Sequence, residues 1–600
     1  MVFLRKKKNI KFFISFLIFN FLFFIESWLI VLIIESLLCL FISILLYYYF
    51  IRKDTNYAVS INTVLIWFLT FILIVLLPYD IYFSKSKNIK DDYEKNKNYI
   101  DNGINIITTL YSIDYWILFI VSWIVSPIIT SYEDSGYFTF KQKIKDSIIR
   151  NLLFFIFLGC LLIIGIILVL LLDLDIGFLT NMSIGFTISW GLLQVFFFLG
   201  YSLIFLPKNL ITHFKYENEE RYLEWKIQDL RNDLKEIIIC QFFNSLENLK
   251  LTKNKLNENK ESLSNYKNEI NDLINYYEEK KPKYLKDVKL LSFIQDKQYV
   301  KNISQLTKLN KKLKIYLIEY ERGKHLLKEI YDKWYLVISI LNIKGHLKDQ
   351  LVLLHLKQLS KTKEIYYTNI IPIFKIAFIS ICIILEMITV WGEIISSLVP
   401  LLSSKDKNYD FFSPLGQLII KTNNLILLHI ISFLEIIFLF YLSFYTVFKM
   451  KISFLCKIYR NKQTDSLSIL YVCKIMSRIG FSICINFCQI TNLRDLIINK
   501  NYGTGRMIDS ENTGLNEAYE IYQLCIFFFP LIIIVLVILN LFNIISRIGN
   551  CMGFNSFIIK NEDTENDIID GENILKEINE KFSGDFDINN YDEIEHYLLN

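Results

Sequence analysis

The sequence predicts an all-α membrane protein: a nine-span helical bundle with a large cytoplasmic coiled-coil helical hairpin between spans five and six. Three observations predict it. The 600 residues are 53% hydrophobic with a mean hydropathy of +0.35, above the level of soluble domains. Nine apolar runs of about 20 residues are long enough to cross roughly 30 Å of hydrocarbon. Between the fifth and sixth runs lies a charged segment whose apolar residues recur at helical spacing.

The runs fall at about 28–51, 59–79, 112–132, 149–172, 184–207, 370–398, 423–448, 467–489 and 525–547. Pro372, near the start of the sixth, predicts a shorter true span there. A tenth run, 10–25, follows the basic start "MVFLRKKKNIK". A basic start ahead of a short apolar stretch has the anatomy of a signal peptide, with Ser27 as candidate cleavage residue. A retained extra helix is the alternative reading of residues 1–27.

Short loops set orientation through Lys and Arg. With the end before Trp28 outside, three cation-bearing loops fall inside. These carry Arg52 and Lys53, then Lys141, Lys143 and Lys145, then Lys449 to Lys462. The outside loop 173–183, "DLDIGFLTNMS", holds no cation, and the outside loop near 80–111 offsets its lysines with acids. The N-terminus is therefore expected outside and the C-terminus in the cytoplasm, in the plasma membrane or an endolysosomal membrane. Asn181 begins the sequon Asn181-Met182-Ser183 and becomes a luminal glycosylation candidate.

The five-span half, 28–207, leads into the charged region 208–365. There Leu223, Ile227, Leu230, Leu234 and Ile237 recur at three and four, followed by Leu256, Leu263, Ile270, Leu273 and Tyr277. After Pro282 the series resumes at Tyr299, Ile303, Leu306, Leu313, Leu317 and Tyr320. Two arms around Pro282 predict an antiparallel helical pair. Either it binds a cytoplasmic partner or it packs on itself and joins two membrane halves. The four-span half follows at 366–548, then an acidic tail, 549–600. Residues 561–600 carry thirteen acids and two lysines, which predicts a mostly disordered segment.

Catalytic patterns are absent from the sequence. The six histidines show no HExxH spacing, and no phosphate loop, GxSxG elbow or EF-hand occurs. The ten cysteines include no CxxC pair, so neither a disulfide framework nor a zinc site is expected. Cys456 and Cys551 lie beside apolar runs as palmitoylation candidates or plain thiols. No cofactor is called for, and the mixed charge of the coil argues against nucleic acid.

What stands out is charge inside the apolar runs: Glu35, Glu386, Glu393, Glu435, Lys474 and Arg478. A lone charge at mid-bilayer costs about 3 kcal/mol on insertion scales. These groups are therefore expected to face the interior and pair. Glu393, Glu435 and Arg478 would line a polar ligand or ion site between spans six, seven and eight. The alternative is an ion pair that only sets helix register.

Several stretches resemble one family in order along the chain. They are "LPYD" (77–80), "YWILFIVSWIVSPIITSYEDSGYF" (115–138), "WGLLQVFFFLGYSLIFLP" (190–207), "VWGE" (390–393), "QTD" (463–465), "INF" (485–487) and "MGFNSF" (552–557). Together they resemble the limb-region-like, or lipocalin-receptor-like, integral membrane proteins, in the branch called domain-containing protein 2. The resemblance implies nine spans, an outside N-terminus and a cytoplasmic coil after the fifth span. Family members are linked to ligand uptake, lysosomal cobalamin handling and modulation of receptor signalling. The expected function is accordingly a non-enzymatic, receptor-like or signalling-modulating membrane protein. A transporter or escort for a small organic or lipid molecule is the alternative.

Overall fold

The computed structural model describes residues 27–88, 90–171, 177–258, 266–280, 300, 302–344, 360–402, 413–422, 424–449, 458–491, 493, 532–535, 537–539 and 562–582. Regular structure among them is helical, apart from one isolated bridge between Ile51 and Thr464. In chain order the first helices are α1 (Ser27–Phe50), α2 (Tyr57–Asn88) and α3 (Lys90–Ile120), the last continuing through a π-helical turn, Val121–Val125, into α4 (Ser126–Glu133). Then come α5 (Phe140–Leu171), α6 (Gly177–Thr212), α7 (Tyr216–Lys235), α8 (Phe243–Glu258), α9 (Lys267–Glu279) and α10 (Ile303–Ile343). The series ends with α11 (Lys361–Ile365), α12 (Ile371–Leu402), α13 (Pro414–Lys421), α14 (Leu425–Lys449), α15 (Ser466–Ile490) and α16 (Glu562–Phe582).

Eight helices among the described residues are long and apolar enough to cross a membrane. They match the first eight apolar runs. The ninth run, 525–547, lies largely outside the described residues, as do Pro282 and residues 1–26. The stretch Phe140–Ile167 has none of its most apolar window buried, and Leu153, Phe157, Leu162 and Ile163 are all exposed. Such a surface suits hydrocarbon and would be an aggregation liability in water.

Two expected loops are helix instead. α2 runs to Asn88 and α3 begins at Lys90, so the outside loop near 80–111 is mostly helical backbone, kinked at Asn96, where φ is −123° and ψ 25°. Charged residues such as those of "KDDYEKNKN" end hydrophobicity without ending a helix. Likewise α6 begins at Gly177, inside the expected loop 173–183. Pro372 lies just after a π-helical turn, Tyr366–Ile370, that joins α11 to α12 in one continuous helix. There it does not shorten the span, whose apolar stretch runs Lys361–Ser396.

The chain forms two compact units, the first spanning Met1–Pro127, Leu158–Gly200 and Ile388–Leu536. α2 is its central helix, packed against α1, α3, α14 and α15. The turn before α15 is built by the residues that stood out in sequence. Asn461 and Lys462 take positive φ, 56° and 62°. Thr464 N donates to Phe50 O at 3.0 Å, and Lys462 N donates to Tyr49 O at 2.9 Å, fastening the turn to the end of α1. Asp465 then caps α15, its Oδ2 accepting from Ser468 N at 3.1 Å.

The second unit spans Ile128–Phe157, Tyr201–Met387 and Val537–Asn600. Its core joins Leu223, Ile227 and Leu234 of α7, Ile270 and Tyr277 of α9, and Leu306, Leu313 and Leu317 of α10. The stripe read from the sequence is thus covered from within the chain. The connection after α4 docks on α10: Lys311 Nζ donates to Asp134 Oδ2 at 2.7 Å, and Asn310 Nδ2 donates to Gly136 O at 2.9 Å. A Cβ on Gly136 would collide with the Thr307 carbonyl, so glycine is what lets the two backbones meet.

The tail departs most from expectation. Residues 562–582 form α16, packed on α7 with Ile574, Leu575 and Ile578 buried in the shared core. Tyr331 on α10 donates to Asn579 Oδ1 at 3.1 Å. The apolar positions recur at one and three on a single helix face, and the surrounding acids hide that stripe in any compositional average.

Candidate functional site

The intramembrane acids meet partners on neighbouring helices. Glu393 is fully buried on α12, where its Oε1 accepts from Asn486 Nδ2 of α15 at 3.0 Å. Glu435, equally buried on α14, accepts on Oε1 from Thr389 Oγ1 of α12 at 2.9 Å. Its Oε2 is buried and has no hydrogen-bond partner among the described residues. Thr389 and Glu393 lie one turn apart on α12. Glu435 and Asn486 therefore approach the same stripe of α12 from two sides. Glu386 is also buried on α12, its Oε1 without a hydrogen-bond partner among the described residues.

The glycine beside Glu393 explains the close approach. A Cβ on Gly392 would collide with Ile490 of α15. Trp391, on the other side of that glycine, is half exposed.

Arg478 does not join these acids. Its guanidinium lies over the Trp123 ring, 4.7 Å from the centroid, and its Nε is buried with no hydrogen-bond partner among the described residues. The cause is axial offset. Arg478 precedes Asn486 by eight residues, about 12 Å along the helix, beyond the reach of its side chain. A desolvated cation–π contact contributes about 2 kcal/mol, so it offsets most of an insertion cost of about 3 kcal/mol. Lys474, one turn closer to the start of α15, lies over the Tyr471 ring at 5.0 Å. Asn181 sits in the opening turns of α6.

Two further polar clusters went unread in sequence. Glu35 on α1 accepts from Tyr79 Oη at 2.9 Å, and its other oxygen lies 3.1 Å from His429 Nε2 on α14. Glu35 stands in the sequence as a lone intramembrane acid, and its partners come from two other helices, α2 and α14. The second cluster holds Asp80, Tyr111 and Asp114, all buried. Ser84 Oγ donates to Asp80 Oδ1 at 3.3 Å, and Tyr111 lies within electrostatic range of Asp80 and Asp114. Neither oxygen of Asp114 has a hydrogen-bond partner among the described residues. An acid within the apolar run 112–132 was the available signal.

The second unit carries its own buried acids where α16 meets α7. Trp334 Nε1 donates to Glu224 Oε1 at 3.3 Å. Burial, then Glu220 and Glu572, push the Glu224 carboxyl up to about 8, against Trp334 and Lys576. Burial, then Glu572, push Glu220 up to about 7. The folded unit thus holds protons that the unfolded chain, with ordinary glutamates near 4.5, has already released. Its stability falls as pH rises from about 4.5 to about 8. The protection of α16 against hydrogen exchange, taken relative to the intrinsic base-catalysed rate at each pH, should be lower at pH 8.5 than at pH 6. Glu224→Gln, which keeps an acceptor for Trp334, should reduce that difference.

The chain matches the family described as LMBR1-like membrane protein over residues 28–545. LMBR1 domain-containing protein 2 homolog A of Dictyostelium discoideum is 23% identical over 578 residues, covering 86% of this chain and 73% of that protein. The G-protein coupled receptor-associated protein LMBRD2 of Homo sapiens is 23% identical over 589 residues, covering 87% of this chain and 80% of its own. The Xenopus laevis protein of that name is 23% identical over 516 residues, covering 82% and 69%. No solved structure matches the chain. With residues 28–545, most of its length, matched to the family model, the chain belongs to the LMBR1-like family of membrane proteins.

Proposed function

We propose that this protein is a non-enzymatic membrane protein that associates with a G-protein coupled receptor and modulates its signalling. The observation that carries this reading is the match along most of the chain to relatives named as receptor-associated. The placement of lysines and arginines supports an outside N-terminus and a cytoplasmic C-terminus. The helices α7 to α10 and α16 are then cytoplasmic and offer a surface to a protein partner. Lipids contact the exposed apolar faces of the spans. The reading predicts that a G-protein coupled receptor co-purifies with the full chain from cells expressing both. Receptors that never co-purify, across a panel, would sink it.

Within the bundle, Glu393, Glu435 and Arg478 remain the proposed polar groups through which a ligand or a receptor state acts. Single variants Glu393→Gln, Glu435→Gln and Arg478→Met should each abolish receptor-dependent signal changes while surface level holds. If every variant instead fails to reach the membrane, these groups only hold the helices together. The second reading, transport or escort of a small organic or lipid molecule, is favoured by one observation. Asp114 is a buried carboxylate with no hydrogen-bond partner among the described residues. Uptake that depends on Asp114 would support it.

A further inference from the structure

Ser122 and the small recess between it and Arg478 are used by neither reading above. The recess is lined by Tyr115, Ser122 and Trp123, by Thr187 of α6, and by Ser477 and Arg478 of α15, with Leu118, Phe119 and Phe481 closing it. No carboxylate is among the lining residues. It has room for about one water. Ser122 is 2% exposed, and its Oγ has no hydrogen-bond partner among the described residues. The Nε–H of Arg478 is likewise buried without an acceptor. Ser477 already donates to Lys474 O at 3.0 Å, and Tyr115 Oη, like Ser122 Oγ, is buried with no hydrogen-bond partner among the described residues.

The chemistry of this wall is one-sided. An arginine keeps its proton in proteins and offers only donors. Trp123 compensates one face of the guanidinium through its ring, and no acceptor meets its Nε–H among the described residues. A buried hydroxyl with a free proton points the same way. A water would satisfy either donor but would bring no charge. A carboxylate or phosphate group has too many heavy atoms for a space of about one water.

We propose that this recess is a binding site for a single halide-sized monovalent anion, held by Arg478 Nε–H and Ser122 Oγ–H beneath the Trp123 ring. Bound there, the anion neutralises Arg478 at the middle of its span and ties α15 to the π-helical turn Val121–Val125. Chloride is the available ion of that size and charge.

The test uses the full chain purified in detergent and exchanged into gluconate. Chloride or bromide is titrated at constant ionic strength, and the melting temperature is read against gluconate and sulfate controls. The expected result is a saturable rise with either halide and none with the controls. Ser122→Ala should raise the half-saturating bromide concentration roughly tenfold, since one hydrogen bond to a charged group is lost. Arg478→Lys, whose ammonium cannot present the Nε–H edge, should abolish the halide response. Identical melting in bromide and gluconate for the unaltered protein overturns the proposal. So does a halide response that Ser122→Ala leaves unchanged, which keeps the test decisive should Arg478→Lys fail to fold.

Discussion

Gly571→Leu releases α16 from α7. A Cβ at position 571 would collide with the Glu224 backbone carbonyl, an atom that a side-chain rotation cannot move. Overpacking of this kind typically costs about 1–3 kcal/mol. The helix escapes by undocking, which exposes Ile574, Leu575 and Ile578 and separates Asn579 from Tyr331. Each large apolar side chain returned to water forfeits roughly 1.5–3 kcal/mol. Undocking therefore goes with a looser second unit. Limited proteolysis of the full chain should cut within 562–582 much faster in the variant. Asp570→Ala, at an exposed neighbouring position, should leave the cleavage rate unchanged. Equal protection of Gly571→Leu and the parent would mean that α16 does not rest on α7 through this glycine.

Gly191→Leu has the counterpart effect in the membrane. Gly191 on α6 faces α15, where a Cβ would collide with Ser482 Oγ and with the Arg478 carbonyl. Small residues let membrane helices approach until backbones touch, and packing there is driven by that contact. A leucine pushes α6 off α15 and opens the wall that carries Thr187. The expected cost is again about 1–3 kcal/mol or more, read as a lower melting temperature in detergent. Gly159→Leu is the matched control, because a Cβ at Gly159 meets nothing within 4 Å. Equal loss from both variants would show that added bulk alone, and not the α6–α15 contact, is responsible.

Much of the fold was legible because hydrocarbon imposes a length and a composition that a sequence displays openly. The eight described spans fall where the apolar runs predict, and among the described residues of the stripe Leu223, Ile227, Leu234, Ile270, Tyr277, Leu306, Leu313, Leu317 and Tyr320 line a core as its period implies. Four of the stretches that carried the family resemblance also make contacts between helices. "VWGE" meets "INF" through Glu393 and Asn486, "LPYD" supplies Tyr79 to Glu35, and "QTD" fastens α15 to α1. What was not legible depends on three-dimensional offset or on local pattern beneath an average. Arg478 was matched to glutamates by span, but its level along α15 is that of Trp123. The tail was judged by its acid count, while Gly571, Ile574, Leu575 and Ile578 form a narrow face that composition cannot reveal. His429 gave no sign alone, since its partners Glu35 and Tyr79 belong to other helices.

The most direct test of the receptor-associated reading is proximity labelling in living cells from an enzyme fused after Asn600. With a cytoplasmic C-terminus, labelling should be dominated by G-protein coupled receptors and their signalling proteins. Labelling confined to a lysosomal compartment with no signalling neighbours would contradict it.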